Sequence, residues 1–177
     1  MGITGLLIIS FILLPFADRV ALITFEATPL QFLIGLLTHQ VGHANIHHLL
    51  GNFIFVYPYA LYVEQQLGVK RFLQLFFLTG IFAALLHITT FGLHTGLIGS
   101  SGADFGIMGA ACALFGGKKE WTKWVGLGCF FAALYWQASV LLASTFAGVA
   151  TLAHIGGLIS GYVLIKSLHR DRPKKNP

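Results

Sequence analysis

Between sparse clusters of charge this chain carries runs of up to about 20 mostly apolar residues, and that spacing commits it to a lipid solvent. A helix that crosses a hydrocarbon core about 30 Å thick needs about 20 such residues. Six runs qualify as candidates. They cover roughly 3–17, His43 to Val63, Arg71 to Thr90, Ser101 to Lys118, Trp121 to Leu142 and Ala150 to Leu168. Of the 177 residues only 10% are charged, against about 25% in a typical soluble domain. A disordered tail, a disulfide-stapled secreted domain and an ordinary soluble globule are therefore excluded. No Lys or Arg precedes the short first run, so it lacks the n-region of a signal peptide. Residues 18–42 form a connector holding Asp18, Arg19, Glu26 and Pro29, and its stretch PLQFLIGLLTH suits an interfacial helix. Cys112 and Cys129 lie in apolar runs and read as buried thiols. The expected architecture is an all-α membrane domain over residues 1–168, followed by a basic cytoplasmic tail, residues 169–177.

The charges that remain set an orientation. With both termini cytoplasmic, the inner segments hold Lys70, Arg71, Lys118, Lys119, Lys123, Lys166, Arg170, Arg172, Lys174 and Lys175, and only Arg19 is outside. That asymmetry is the positive-inside pattern. It also accounts for the net charge of +5 without nucleic acid as a partner. Trp121 and Trp124 beside the inner lysines fit an interfacial belt. Small residues recur three or four apart at Gly102, Gly106, Gly109 and Ala113, and again at Gly157 and Gly161. Such ridges serve generic packing, or mark the fourth and sixth spans as direct neighbours.

Polar side chains inside a bilayer are costly, and each is a candidate functional group. The candidates are the cluster THQVGHANIHHLLGN, Glu64, Ser101 with Asp104, and His154. The flanking His87 and His94 and the tail residue His169 read as unremarkable. Ser101 precedes Lys118 by 17 residues, about 25 Å along a helix. His154 lies about 18–24 Å from Lys166 and Arg170, and Asn52 about 18–27 Å from Glu64 and Lys70, on the same rise. His48 and Asn52, four apart, share a helix face. A serine, a histidine and a pair of donors thus occupy one layer. Those are the parts of an acyl-transfer site, in which a base takes the serine proton and preorganised donors hold the oxyanion. Asp104 admits two readings: a first-turn capping acidic residue in Ser101-x-x-Asp104, or a group that orients His154.

Three motifs then come in order. His43-x4-His48-x3-Asn52, with Thr38-His39 ahead of it, resembles the second-helix signature of the rhomboid family of intramembrane serine proteases. Gly99-Ser100-Ser101-Gly102 resembles that family's G-x-S-G nucleophile motif, and Ala153-His154-Ile155-Gly156-Gly157 its sixth-helix A-H-x-x-G motif. Val63-Glu64 with Leu67-Gly68 resembles the end of the second helix, so the likeness runs from about Thr38 to Gly161. It implies a six-transmembrane-helix bundle of the rhomboid type, open to the outer side, in a bacterial inner membrane. Ser101 would be the nucleophile of a dyad and His154 its base, with His48 and Asn52 at the oxyanion. His43 and Glu64 would fix helices, and Gly99 and Gly102 would be supporting members of the nucleophile motif. Substrates would be transmembrane segments of other proteins, and no cofactor or metal is implied. Asp104 departs from the aliphatic residue usual in the family, and Ile34-Gly35 stand where many bacterial members have Trp-Arg.

Two other classes stand beside this one. His39, His43 and His47 repeat at i+4, a metal- or haem-ligating spacing, but the cluster has no nearby carboxylate or thiolate. A rhomboid-like protein that binds membrane helices without cutting them would need a damaged dyad, whereas both Ser101 and His154 are present.

Overall fold

The structure, a computed structural model, describes residues 2–17, 28–92, 96–116, 119–143 and 150–170. Seven α-helices make up these residues: α1 (Gly2–Leu13, continued by a 3-10 turn Leu14–Phe16), α2 (Pro29–Thr38), α3 (Ile46–Leu67), α4 (Val69–Phe91), α5 (Ser101–Gly116), α6 (Glu120–Ala143) and α7 (Thr151–Arg170). Asp18, Arg19, Glu26, His94, Lys118 and residues 171–177 lie outside the described residues. The stretch expected to be interfacial is α2. It opens with a capping box in which Thr28 Oγ1 accepts from the Gln31 amide and Gln31 Oε1 from the Thr28 amide, with Pro29 at the first helical position.

α4, and α7 over Thr151–Leu168, are long and apolar enough to cross a membrane by length and composition. α1 and α5 are apolar but shorter. α3 has the length, at 22 residues, but carries His47, His48, Asn52 and Glu64 along it. It also runs past the expected end at Val63, because Glu64 has partners there. Its carboxylate accepts the amide N–H groups of Gly2 (3.0 Å) and Ile3 (3.1 Å), tying down the start of α1, where helical N–H groups lack internal partners. A single residue, Gly68, joins α3 to α4 at φ +79°, a conformation that favours glycine.

α5 is the hub, packed against α3, α4, α6 and above all α7. The small-residue ridges lie at that last contact. A Cβ added at Gly157 would overlap the Gly102 carbonyl, and one at Gly161 the Gly106 carbonyl. The backbones approach this closely because neither side carries a side chain. Phe72, Leu75, Phe76, Ile107 and Ile165 fill the interior around this seam. The outer faces remain apolar: Ile54 is 71% exposed and Leu142 84%. Cys112 is buried, but Cys129 is exposed, contrary to the expectation of two buried thiols. An apolar run does not say which face of α6 turns outward. Trp121 and Trp124 are exposed, with Lys123 Nζ 5.7 Å from the Trp124 ring.

Candidate active site

α3, α5 and α7 each place the site residues on or near their first turns, so His48, Asn52, Ser101 and His154 gather at one end of the bundle. Ser101 opens α5. The preceding Gly99 has φ +116°, and a Cβ there would come within 2.7 Å of His48 Cε1, so the ring packs directly over that glycine. The Gly99 amide donates to the His39 carbonyl (2.9 Å), fixing the approach to the helix. His39 is itself held by its Nδ1–H, which donates to the Gly35 carbonyl (2.8 Å), and burial lowers its pKa to about 4. Gly102 lets α5 lie close to Ala83, whose Cβ would be 2.7 Å from an added Cβ. At the start of α3, Asn45 Oδ1 caps the helix by accepting from the His48 amide (2.9 Å).

His154 Nε2 lies 2.9 Å from Ser101 Oγ, and its Nδ1 lies 3.1 Å from Gln137 Oε1 on α6. A carboxamide oxygen only accepts, so Nδ1 carries the proton and Nε2 accepts from the serine hydroxyl. Phe105 stacks on the imidazole with ring centroids 4.6 Å apart. The pair opens into a cavity of about 720 Å³ whose wall includes His48, Asn52, His87, Phe91, Leu97 and Ala150. The first N–H groups of α5 point out of the helix end and have no helical acceptors of their own. A serine hydroxyl, an imidazole nitrogen that accepts from it and a set of N–H donors therefore surround one space.

A second serine–histidine contact lies behind the first. Ser100 Oγ is 3.2 Å from His43 Nε2, and Asn52 Nδ2 is 3.2 Å from the same nitrogen and 3.4 Å from Ser100 Oγ. His43 is 1% exposed and Ser100 8%. The Ser100 hydroxyl donates to Asp104 Oδ2 at 2.8 Å. Asp104 does lie in the first turn of α5, but its carboxylate pairs with Ser100 rather than with Ser101 or His154. Positions 100 and 104 are one turn apart and share a face, whereas Ser101 is on the adjoining one. Asp104 is buried, at 1% exposed, rather than turned to water.

The remaining histidines divide. His87, expected to be unremarkable, forms part of the cavity wall, while His47 is exposed. His39 and His43 are committed to the separate partners given above. Gln137 was not among the sequence candidates, although a signal for it existed. It follows Lys123 by 14 residues, about 21 Å of helix, which is the same layer as Ser101.

The features define a class: an all-α bundle of membrane type with a serine–histidine pair at its open end. The Rhomboid domain model matches residues 30–171, and the chain belongs to the rhomboid family, whose members are integral membrane proteins. It is 30% identical over 129 residues to Rhomboid-like protease 3 of Toxoplasma gondii, covering 70% of this chain and 47% of that protein. It is 30% identical over 134 residues to the putative rhomboid protease YdcA of Bacillus subtilis, covering 73% and 64%. It is also 32% identical over 129 residues to Inactive RHOMBOID-like protein 8 of Arabidopsis thaliana, covering 71% and 35%. The chain spans between about a third and two thirds of the length of these relatives.

Proposed function

We propose that the chain is an intramembrane serine endopeptidase that cuts transmembrane segments of other proteins. The observation that carries this reading is the 2.9 Å contact between Ser101 Oγ and His154 Nε2 at the wall of the large cavity. Ser101 Oγ attacks the scissile carbonyl as its proton passes to His154 Nε2. Gln137, accepting from Nδ1–H, stabilises the resulting imidazolium. The tetrahedral oxyanion is held by the Ser101 amide N–H, the Asn52 carboxamide and His48. His154 then returns its proton to the departing amine, and water hydrolyses the acyl-enzyme by the reverse route. Ser100 takes no direct part: its hydroxyl is committed to Asp104, away from the cavity.

In this reading α1 and α3 to α7 are the six spans, and α2 lies at an interface. Lys70, Arg71, Lys123 and Lys166 lie toward the opposite ends of their helices from the site, and Lys119 just precedes α6, which supports cytoplasmic termini and a site open to the outer side of a bacterial inner membrane. A substrate helix presents its carbonyls already hydrogen-bonded, so segments with small, helix-weakening residues near the cut are the expected class. The alternative of a helix-binding protein that does not cut is disfavoured by the intact serine–histidine contact.

A serine-directed phosphonate probe tests the assignment. It should form one covalent adduct, mapped by mass spectrometry to Ser101, and His154→Ala should abolish it. An adduct on Ser100, or undiminished labelling in His154→Ala, would overturn the reading.

A further inference from the structure

The cluster behind the dyad accounts for its hydrogen bonds almost completely, and the remainder points to a role. His43 Nε2 faces two donors, the Asn52 carboxamide (3.2 Å) and the Ser100 amide N–H (3.5 Å). It therefore accepts, and the His43 proton resides on Nδ1. The atoms Asn52 Nδ2, His43 Nε2 and Ser100 Oγ form a nearly equilateral triangle with sides of 3.2, 3.2 and 3.4 Å. One Asn52 N–H is shared between the two acceptors, which leaves the other for the large cavity. The Ser100 hydroxyl proton goes to Asp104 Oδ2, so the 3.2 Å contact between His43 Nε2 and Ser100 Oγ joins two acceptors and is bridged by the shared Asn52 N–H. Three buried atoms of this cluster, His43 Nδ1, Asp104 Oδ1 and Gln40 Oε1, have no partner in hydrogen-bond geometry among the described residues. All three residues line one small cavity of about 20 Å³ that also touches Ser10. A cavity of at least about 10–15 Å³ with two to four polar partners is a water site.

We propose that Asp104 is a positioning residue for the oxyanion donor Asn52, acting through Ser100 on one side and through one buried water on the other. The water accepts His43 Nδ1–H and donates to Asp104 Oδ1 and Gln40 Oε1. A ring then closes: Asn52 to His43, His43 to water, water to Asp104, with the Ser100 hydroxyl donating to Asp104 and accepting from Asn52. The ring selects the His43 tautomer that accepts at Nε2. With the other tautomer, the Nε2–H faces the Asn52 amino group, and the carboxamide rotates its oxygen inward. The N–H aimed at the oxyanion is then lost. The proposal rests on the protease reading given above.

The test combines cleavage kinetics with imidazole nitrogen NMR on the full chain in micelles, labelled with 15N-histidine and assigned through His43→Gln. In the wild type His43 should be the Nδ1–H tautomer. Asp104→Val should shift it toward Nε2–H and lower kcat about tenfold or more at unchanged KM. Loss of one oxyanion donor outright costs about 10²–10³-fold. Asp104→Asn should rescue both to within about threefold, because its oxygen still accepts from Ser100 and its amino group still reaches the water. A wild-type Nε2–H tautomer would overturn the proposal even if no variant folded. An unchanged tautomer and kcat in Asp104→Val would overturn it as well. Absence of cleavage by the wild type would instead overturn the protease reading, and the tautomer would still decide the cluster.

Discussion

Replacing Gln137 by Leu isolates the contribution of a hydrogen bond that the proposed dyad uses only through His154. Gln137 is 4% exposed, and its Oε1 accepts from His154 Nδ1–H at 3.1 Å. In the free enzyme that bond joins neutral groups and is worth about 0.5–1.5 kcal/mol. As the serine proton reaches Nε2 the ring becomes an imidazolium, and a bond to a charged group is worth about 1.5–3 kcal/mol. The difference, about 1–1.5 kcal/mol, is transition-state stabilisation. At 1.36 kcal/mol per tenfold it predicts a fall in kcat/KM of about 5- to 13-fold. A ring released from its tautomer adds to that loss. Leucine is apolar and of similar size, so the packing of α6 on α7 should survive, and Gln137→Glu, which keeps an acceptor, should exceed Gln137→Leu. The assay is initial-rate cleavage of a transmembrane substrate in liposomes, with folding checked by thermal unfolding. A Gln137→Leu protein within twofold of wild type would show that this hydrogen bond does not strengthen in the transition state.

Other expectations follow from the packing. Gly157→Ala drives a methyl into the Gly102 carbonyl and should cost about 1–3 kcal/mol, seen as a lower Tm in micelles. Gly128→Ala meets nothing within 4 Å and should leave Tm unchanged. Glu64→Ala strands the Gly2 and Ile3 amides and should cost about 1–3 kcal/mol in unfolding experiments, with Glu64→Gln milder. A reporter fused after Lys175 should read as cytoplasmic, and one in the 91–98 loop as external; the reverse at both would refute the orientation.

What the sequence reveals here follows from one dimension of geometry. Depth along a helix can be counted, so Ser101, His154, His48 and Asn52 emerge from spacing and motif order, and the structure gathers all four at one cavity. Facing is harder. Asp104 looks close to Ser101 in sequence, yet its carboxylate pairs with Ser100, one turn earlier on the adjoining face of α5. Gln137 sits at the right depth on a helix without a motif, and only the placement of α6 beside α7 brings it to His154. The apolar run of α3 ends at Val63, whereas the helix continues to Leu67, with Glu64 anchored by the α1 amides. Cys129 illustrates the same point: its run is apolar, but its face is outward.

In the proposed mechanism Ser101, with His154 as base, cuts a peptide bond within the membrane. The direct measurement compares wild type with Ser101→Ala in proteoliposomes carrying a generic transmembrane substrate, read as product per unit time. The wild type should cleave specifically, and a Ser101→Ala protein that inserts and melts normally should show background rates. Undiminished cleavage by Ser101→Ala would contradict that mechanism.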